Sequence, residues 1–404
     1  MRTKVAIVGG GAAGLYAACF LAKAGVDFLL LERNKECGKK LLITGHGRCN
    51  ITNLKEPSEL KKGFHEAGNF VYPAISGFTP ADIVRFIENE LKVPLKTEEN
   101  DRVFPVSDKA SDVRDAFVRF LGREHILTDY KCSSITKEND AFRLVSEDGR
   151  EVVSDKVVLA CGGSSYPQTG SDGSGFDLAR SLGHTVAEPR GALAAVKTGD
   201  GLCGTLAGVT VENTVIRLYS GGRKTAEMTG DLLFTHSGVS GPAVMEISRE
   251  IPAAAGPDTY FEICFARGLS DKDLVEKIDG HGDTKLVNVV AEYVPKSLAA
   301  AICGDGDLYC RDVRAETRKA VFRKLTAYRM DIEKAPDIRT SYCTRGGVIL
   351  NELDRKTYAS KKVYGIYVVG ENTDVDGISG GYNLTFAASS AHLAAKDIIK
   401  GIGI

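Results

Sequence analysis

Glycines 9, 11 and 14 stand in the run KVAIVGGGAAGLYAACFLAKAG, between a strand-like stretch, Val5 to Val8, and a helix-like one. In that context the GxGxxG spacing points to one chemistry. The first glycine permits a tight turn, the second lets backbone approach a pyrophosphate, and the third lets helix and strand pack closely. The next strand, DFLLLER, leads into Glu32 and Arg33, and Glu32 lies eighteen residues past Gly14, near the spacing at which an acid holds ribose hydroxyls. Three more glycine-bearing loops follow strand-like runs, at 38–50, 161–175 and 370–383. If those strands share a sheet, the four loops crowd one edge. A cofactor with adenine, pyrophosphate and a ring system touches all of them, whereas a nucleotide needs only the first. The pattern favours FAD over NAD as the resident cofactor.

Hydride transfer at a flavin needs a proton donor or acceptor across the substrate, and Tyr166, His236 and Tyr382 are the catalytic candidates. A hydrogen-bonded buried tyrosine or a structural histidine explains each of them as well. Arg48 is expected to neutralise phosphate or reduced flavin rather than serve as a surface charge. Cys49 has no partner at a CxxxxC spacing, and Cys37 reaches it only if the loop doubles back, so a thiol relay is the lesser reading. His46, between Gly45 and Gly47, is read as a solvated loop histidine before it is read as a flavin neighbour.

The elements that must position these residues are those of a globular chain of 404 residues, 43% hydrophobic, which suggests two or three domains. A formal charge of −1 gives no global attraction to nucleic acid or anionic lipid, so a small-molecule substrate is expected, with no nucleic acid and no membrane partner. Residues 5–22 carry no charge, but their glycines make a poor span, and a soluble cytoplasmic protein is expected. Ten cysteines with no CxxC pair read as reduced thiols, and seven histidines with no HxxxH give a metal site little support. The oligomeric state is left open.

Along the chain, TPADIVRFIENEL reads as a helix capped by Thr79 with Pro80 in its first turn. From Lys131 the period changes to two, giving a β-meander that returns to the apolar strand VVLA. Residues 190–265 are β-rich, and 270–332 read as an all-helical insert. The Arg311–Arg329 stretch, with seven basic and two acidic residues, reads as the solvated face of an amphipathic helix. YGIYVV, apolar on both parities, predicts a central parallel strand before the last helix.

Four segments carry a family resemblance: KKLLITGHGRCNITN (39–53), the pair ACGGSSYPQTGSDGSG (160–175) and TGDLLFTHSGVSGPA (229–243), and the tail GGVILNEL with GIYVVGENTDVDGISGGYNL (346–384). Together they resemble the BaiN-like, or aminoacetone oxidase-like, family of FAD-binding flavoproteins over essentially the whole chain. The resemblance implies an α/β fold with a Rossmann-type, glutathione reductase-like FAD domain in two segments, 1–190 and 338–404. It implies an inserted β-barrel-like substrate domain at 191–268 and 333–337, carrying a helical insert at 269–332. Cofactor contacts are implied from Gly9, Gly11, Gly14, Glu32 and Arg33 for the ADP half, and further ones from Ala13, Cys132 and Gly162. Lys40, Gly47, Arg48, Cys49 and Asn50 are implied nearer the flavin, closed from the tail by Gly370, Glu371, Asp376, Gly381, Tyr382, Asn383 and Leu384. The activity it implies is hydride transfer between flavin N5 and a small organic substrate, with NAD(P)H as transient co-substrate. Steroid-like enone reduction is the leading chemistry it implies and oxygen-dependent oxidation of a small aminoketone the other; a flavin-containing RNA-associated protein, using the basic Arg311–Arg329 stretch as its contact, is an alternative of a different class. No second GxGxxG is present, so any nicotinamide is expected to visit the flavin without a Rossmann site of its own. The family's LVPL-like strand reads ALAAV here and its ESK near 360 reads ASK, changes that bear on the substrate pocket more than on FAD.

Overall fold

Val5, Ala6 and Ile7 are apolar in succession, a pattern that suits a strand covered on both faces. All three are fully buried in the computed structural model, which describes residues 1–304 and 306–403. Their strand, β1 (Arg2–Val8), pairs in parallel with β2 (Phe28–Leu31) on one side and with Glu151–Leu159 on the other. Ile126–Leu127 extends the sheet beyond β2, also in parallel. On the side away from β1, Glu151–Leu159 divides its length between two partners. Its first residues join the antiparallel meander of Cys132–Glu138 and Ala141–Ser146, and Val157 to Leu159 pair in parallel with Ile366–Val368. That pairing draws Met1–Pro189 and Cys343–Ile404 into one compact unit. The register sets Val8 opposite both Leu31 and Leu159, and Leu159 opposite Val368, so these strands end at one edge.

Two helices pack together against this sheet, α1 (Ala12–Lys23) and the last helix, Tyr382–Ile402. Leu15, Cys19, Phe386, Ala391 and Ala394 belong to one buried cluster between them. The helix Pro80–Asn89 starts on the expected cap: Thr79 Oγ1 accepts from the Asp82 amide at 3.3 Å, and Asp82 accepts from the Thr79 amide at 2.9 Å.

The other unit, Arg190–Tyr342, is an antiparallel sheet of six strands. They run in the order Val196–Lys197, Gly238–Ser240, Arg223–Thr235, Thr210–Ser220, Tyr260–Cys264 and Tyr328–Asp331. A bridge between Thr198 and Ile332, with the Glu333 amide donating to the Lys197 carbonyl at 3.1 Å, joins the two edge strands, so the sheet closes on itself. Closure removes both open edges. Helices Asp271–Asp279, Lys296–Cys303 and Ala315–Thr326 bury Leu274, Leu298 and Leu325 in the same apolar cluster as Ile263 and Phe265 of the sheet region. The end of the segment expected to be helical departs from its period: Tyr328 to Asp331 pair as a strand with Tyr260 to Ile263. Sheet closure overrides the helical spacing there.

In the first unit, a hairpin preceding Ile366–Val368 is clamped from below. The fully buried His184 ring meets Glu352 Oε2 through Nδ1 and Ser360 Oγ through Nε2, both at 2.9 Å. Lys362 Nζ lies 2.6 Å from Glu352 Oε1, and the Thr185 amide donates to Oε2 at 3.0 Å. Burial pushes the Glu352 carboxyl up, but Lys362, Thr185 and His184 outweigh it and hold it at about 2. A carboxyl held below its unfolded value adds stability that is present above the unfolded pKa and lost as pH falls toward the folded one. The melting-temperature difference between wild type and Glu352→Gln should therefore be largest near neutrality and narrow below about pH 4.5, the ordinary glutamate range, toward pH 2. Calorimetry across that range checks it.

Candidate functional site

The three opening glycines occupy three different environments. A Cβ on Gly9, at φ +106°, would stand 2.5 Å from the Ala160 carbonyl oxygen, and one on Gly14 would stand 1.9 Å from the Gly9 carbonyl oxygen. Both positions are thus fixed by the protein's own backbone. A Cβ on Gly11 would meet nothing nearer than the Ala160 oxygen at 4.0 Å. The open side of Gly11 is space for a ligand to approach the chain.

Gly11 is also the N-cap of α1, and Gly381, at φ +98°, is the N-cap of the last helix. Neither helix has a side-chain cap or an acidic residue in its first turn. First-turn amides without such partners, at the positive end of the helix dipole, attract an anion or a developing negative charge. An apolar pocket is lined by Ala12 and Leu384, from the two first turns, and by Tyr16, Leu41, Cys49 and Ile51. Anion-seeking amides at two points with an apolar wall between them match the pyrophosphate and the ring system of FAD.

The loops around this pocket are tied across long sequence distances. Lys40 Nζ meets Glu371 Oε2 at 2.8 Å and Ser165 Oγ at 2.5 Å, while Glu371 Oε1 accepts from the Thr344 amide at 2.7 Å. Arg33 pairs with Asp172 at 2.5 Å and donates to the Gly170 carbonyl at 3.3 Å. Gly162, at φ +80°, and Gly370, at φ +59°, turn the chain beside these pairs, and a Cβ on Gly370 would press on Ala13 at 2.9 Å. The Asn50 side chain accepts from the Gly381 amide at 3.1 Å and donates to the Thr52 and Val103 carbonyls. Asn383 brackets Gly377, accepting from its amide and donating to its carbonyl, each at 2.9 Å. That bracket fixes the turn carrying Gly380 and Gly381.

Glu32 is 5% exposed, and its carboxylate accepts from the amides of Gly10 at 2.8 Å and Asn34 at 2.7 Å. Burial raises its pKa and those donors oppose the rise. It stands at the glycine turn, where the ribose of an ADP group belongs. Asp376 is likewise buried, and burial together with its charge raises the pKa of Asp374.

Other expected residues are placed differently. Arg48 does not serve as a free counter-charge: it pairs with Glu98 and with Asp108 at 2.7 Å, and its guanidinium lies 4.2 Å from the Phe104 ring centroid. The flanking Gly47 is at φ +86°, and His46 is exposed at φ +57°. Cys37 and Cys49 are both buried free thiols, pushed up to about 12 by burial, which opposes a thiolate relay. Cys132 begins its strand with a buried thiol donating to the Ser134 carbonyl at 3.5 Å, and it lines a groove with Asp172 and Ser174. Tyr382 opens the last helix with its ring 5.7 Å from Phe64, in the pocket-bearing unit. Tyr166, at φ +53°, is half-buried and caps the short turn Pro167–Thr169. His236 lies in the second unit, exposed on the turn between the paired Thr235 and Gly238.

One residue not singled out in the sequence belongs with these. Arg102 pairs in register with Asn53, donates through Nε to the Glu99 carbonyl at 3.0 Å, and lies 4.0 Å from where a Gly380 Cβ would stand. The signal was the DRVFP run, which has no helical or motif spacing of its own.

The family described as HI0933-like protein Rossmann domain matches residues 3–397. The chain belongs to that family. It is an FAD-dependent oxidoreductase, and the fit of its glycines and helix starts to FAD is a property of this HI0933-like chain's own geometry. It is 31% identical to a ribosomal RNA dihydrouridine synthase of Escherichia coli, covering 98% of both chains. It is 30% identical to a 3-dehydro-bile acid delta(4,6)-reductase of Clostridium scindens, covering 97% of this chain and 98% of the relative. Among solved structures, a 3-ketosteroid delta1-dehydrogenase of Sterolibacterium denitrificans is similar in fold, with a TM-score of 0.50, 12% identity and coverage of 99% of this chain and all of the other. A flavocytochrome c3 fumarate reductase shares the fold at a TM-score of 0.50 and 16% identity, covering 100% of this chain and 79% of that one.

The contrast between Gly11 and Gly14 is testable. Gly11→Val should purify folded, with a melting temperature near that of wild-type apoprotein and a large loss of bound FAD, read from flavin absorbance per chain. Gly14→Val should fail to accumulate as folded protein, because its side chain collides with backbone rather than with a ligand.

Proposed function

We propose that the chain reduces a carbon–carbon double bond conjugated to a carbonyl, taking electrons from NAD(P)H, and that the bond is the C5=C6 bond of a uridine in ribosomal RNA. The observation that carries this reading is the chemistry common to two near-full-length relatives. A dihydrouridine synthase and a delta(4,6)-reductase of a 3-dehydro bile acid both name the saturation of a double bond conjugated to a carbonyl. Uridine is preferred because two relatives, at 31% and 28% identity, carry the ribosomal RNA name. A charge of −1 removes a global pull toward RNA but leaves local recognition of one nucleotide possible.

FAD held along the strand ends supplies hydride chemistry when bound. The chain's own groups have distinct tasks in this reading. The amides that open α1 hold the pyrophosphate, and those that open the last helix hold negative charge at the ring end. Arg102 binds the substrate carbonyl oxygen, where charge gathers as the β-carbon accepts hydride. Tyr382 hydroxyl donates the proton taken up by the α-carbon. A steroid-like enone is the second reading, favoured by the Clostridium scindens relative.

The test is a holoenzyme assay with NADH and NADPH, offered unmodified ribosomal RNA transcript and, separately, a 3-oxo-4,6-diene steroid. Uridine gaining the mass of two hydrogens supports the first reading. Steroid saturation alone transfers the function to the second, and aerobic consumption of amines without reduction of either would make the protein an oxidase. With the active substrate, Arg102→Gln and Tyr382→Phe should each lower kcat by roughly 100-fold or more. The rate at which NAD(P)H bleaches flavin absorbance should stay within a few-fold of wild type in both.

A further inference from the structure

Tyr364 is 82% exposed, more than any other large hydrophobic residue among those described. Lysines flank its ring, with Lys156 Nζ 5.3 Å and Lys137 Nζ 5.9 Å from the centroid, and Lys137 Nζ also donates to the Tyr364 carbonyl at 3.1 Å. The acids adjacent to these lysines in sequence are committed elsewhere. Glu138 pairs with Arg143 at 3.1 Å, and Asp155 pairs with Arg2 at 3.1 Å. Residues 355–364 read RKTYASKKVY, with four basic residues and no acid. Of these, Lys362 is paired with Glu352, but Arg355, Lys356 and Lys361 are exposed and in no ion pair among the described residues.

The segment is firmly mounted. Tyr358 is fully buried, Leu353 bridges Ser360, Ala359 bridges Tyr367, and Ser360 is held by His184. Tyr364 precedes Ile366–Val368, whose other end leads to Gly370, so the tyrosine lies at the sheet edge opposite the glycine loops. Nothing in the cofactor region needs an aromatic ring or unpaired lysines there.

We infer that Tyr364, Lys137 and Lys156 form a contact for a single-stranded segment of RNA, one base stacking on the tyrosine ring and flanking phosphates meeting the two ammonium groups. Exposed aromatics flanked by cations bind single strands in this way because every base offers a π-face and every nucleotide a negative charge. The inference rests on the ribosomal RNA reading for its partner, but the surface is separate from the residues assigned to the reaction. It positions the substrate strand and takes no part in the chemistry.

Fluorescence anisotropy of a fluorescein-labelled single-stranded uridine oligonucleotide, titrated with FAD-loaded protein, tests it. Tyr364→Ala should weaken binding about tenfold, and Tyr364→Phe should restore most of that loss. Lys137→Gln with Lys156→Gln should flatten the dependence of log Kd on log salt by about 1.4, the value for two single-strand phosphate contacts. All three variants should keep wild-type FAD content and NAD(P)H reduction rates. Wild-type affinity and salt slope in both Tyr364→Ala and the double lysine variant would overturn the contact, even if uridine is reduced normally. Absence of RNA binding by wild type would overturn it too, and the assay for uridine reduction then decides the substrate reading separately.

Discussion

The ligand chemistry depends on two helix N-termini, neither closed by a side chain, standing near one another at the carboxyl edge of a parallel sheet. Neither N-cap residue supplies a side-chain acceptor to its first turn. Ser, Thr, Asp or Asn at these caps would supply one from within the chain, yet Gly11 and Gly381 occupy them. The choice forgoes local helix stability and leaves the positive dipole end to a ligand. Pairing of α1 with the last helix, enforced by the buried cluster around Leu15 and Phe386, converts two general anion sites into one extended site.

The polar contacts around that site are better understood as positioning than as stabilising. Lys40–Glu371 and Arg33–Asp172 are partly solvent-exposed pairs, and such pairs contribute roughly 0–1 kcal/mol at most. Their value is geometric, since each links loops that leave different strands. Asn50 and Asn383 act likewise through neutral hydrogen bonds to the Gly377–Gly381 turn. A loop set braced on several strands holds a ligand with less conformational freedom to lose on binding.

The glycine sites were readable in the sequence because the GxGxxG spacing is itself local, Gly14 being fixed by the Gly9 carbonyl, although Gly9 faces the distant Ala160 backbone. The parallel sheet was readable for a related reason, since runs such as VAIV and IYVV cannot be amphipathic, although Tyr364, just before the latter, lies exposed outside its strand. The ion pairing of Arg48 has no local signal, because its carboxylates, Glu98 and Asp108, lie about 50 residues or more away and meet it only through folding. Arg102 was overlooked since its interest comes from lying beside Gly380, nearly 280 residues later. The strand at Tyr328–Asp331 was hidden by a continuing helical period, and only the partner strand Tyr260–Cys264 reveals it. Contacts between distant segments carry no periodic signal.

The central claim is that FAD lies with its pyrophosphate at the start of α1 and its ring at the start of the last helix. A crystal structure of the FAD-loaded protein tests that most directly. The expected density has pyrophosphate oxygens within hydrogen-bond distance of the amides following Gly11, and the isoalloxazine beside Leu384 and Cys49 with its pyrimidine edge toward the amides following Gly381. An isoalloxazine at the Gly11 turn, or FAD bound away from both helix starts, would contradict it.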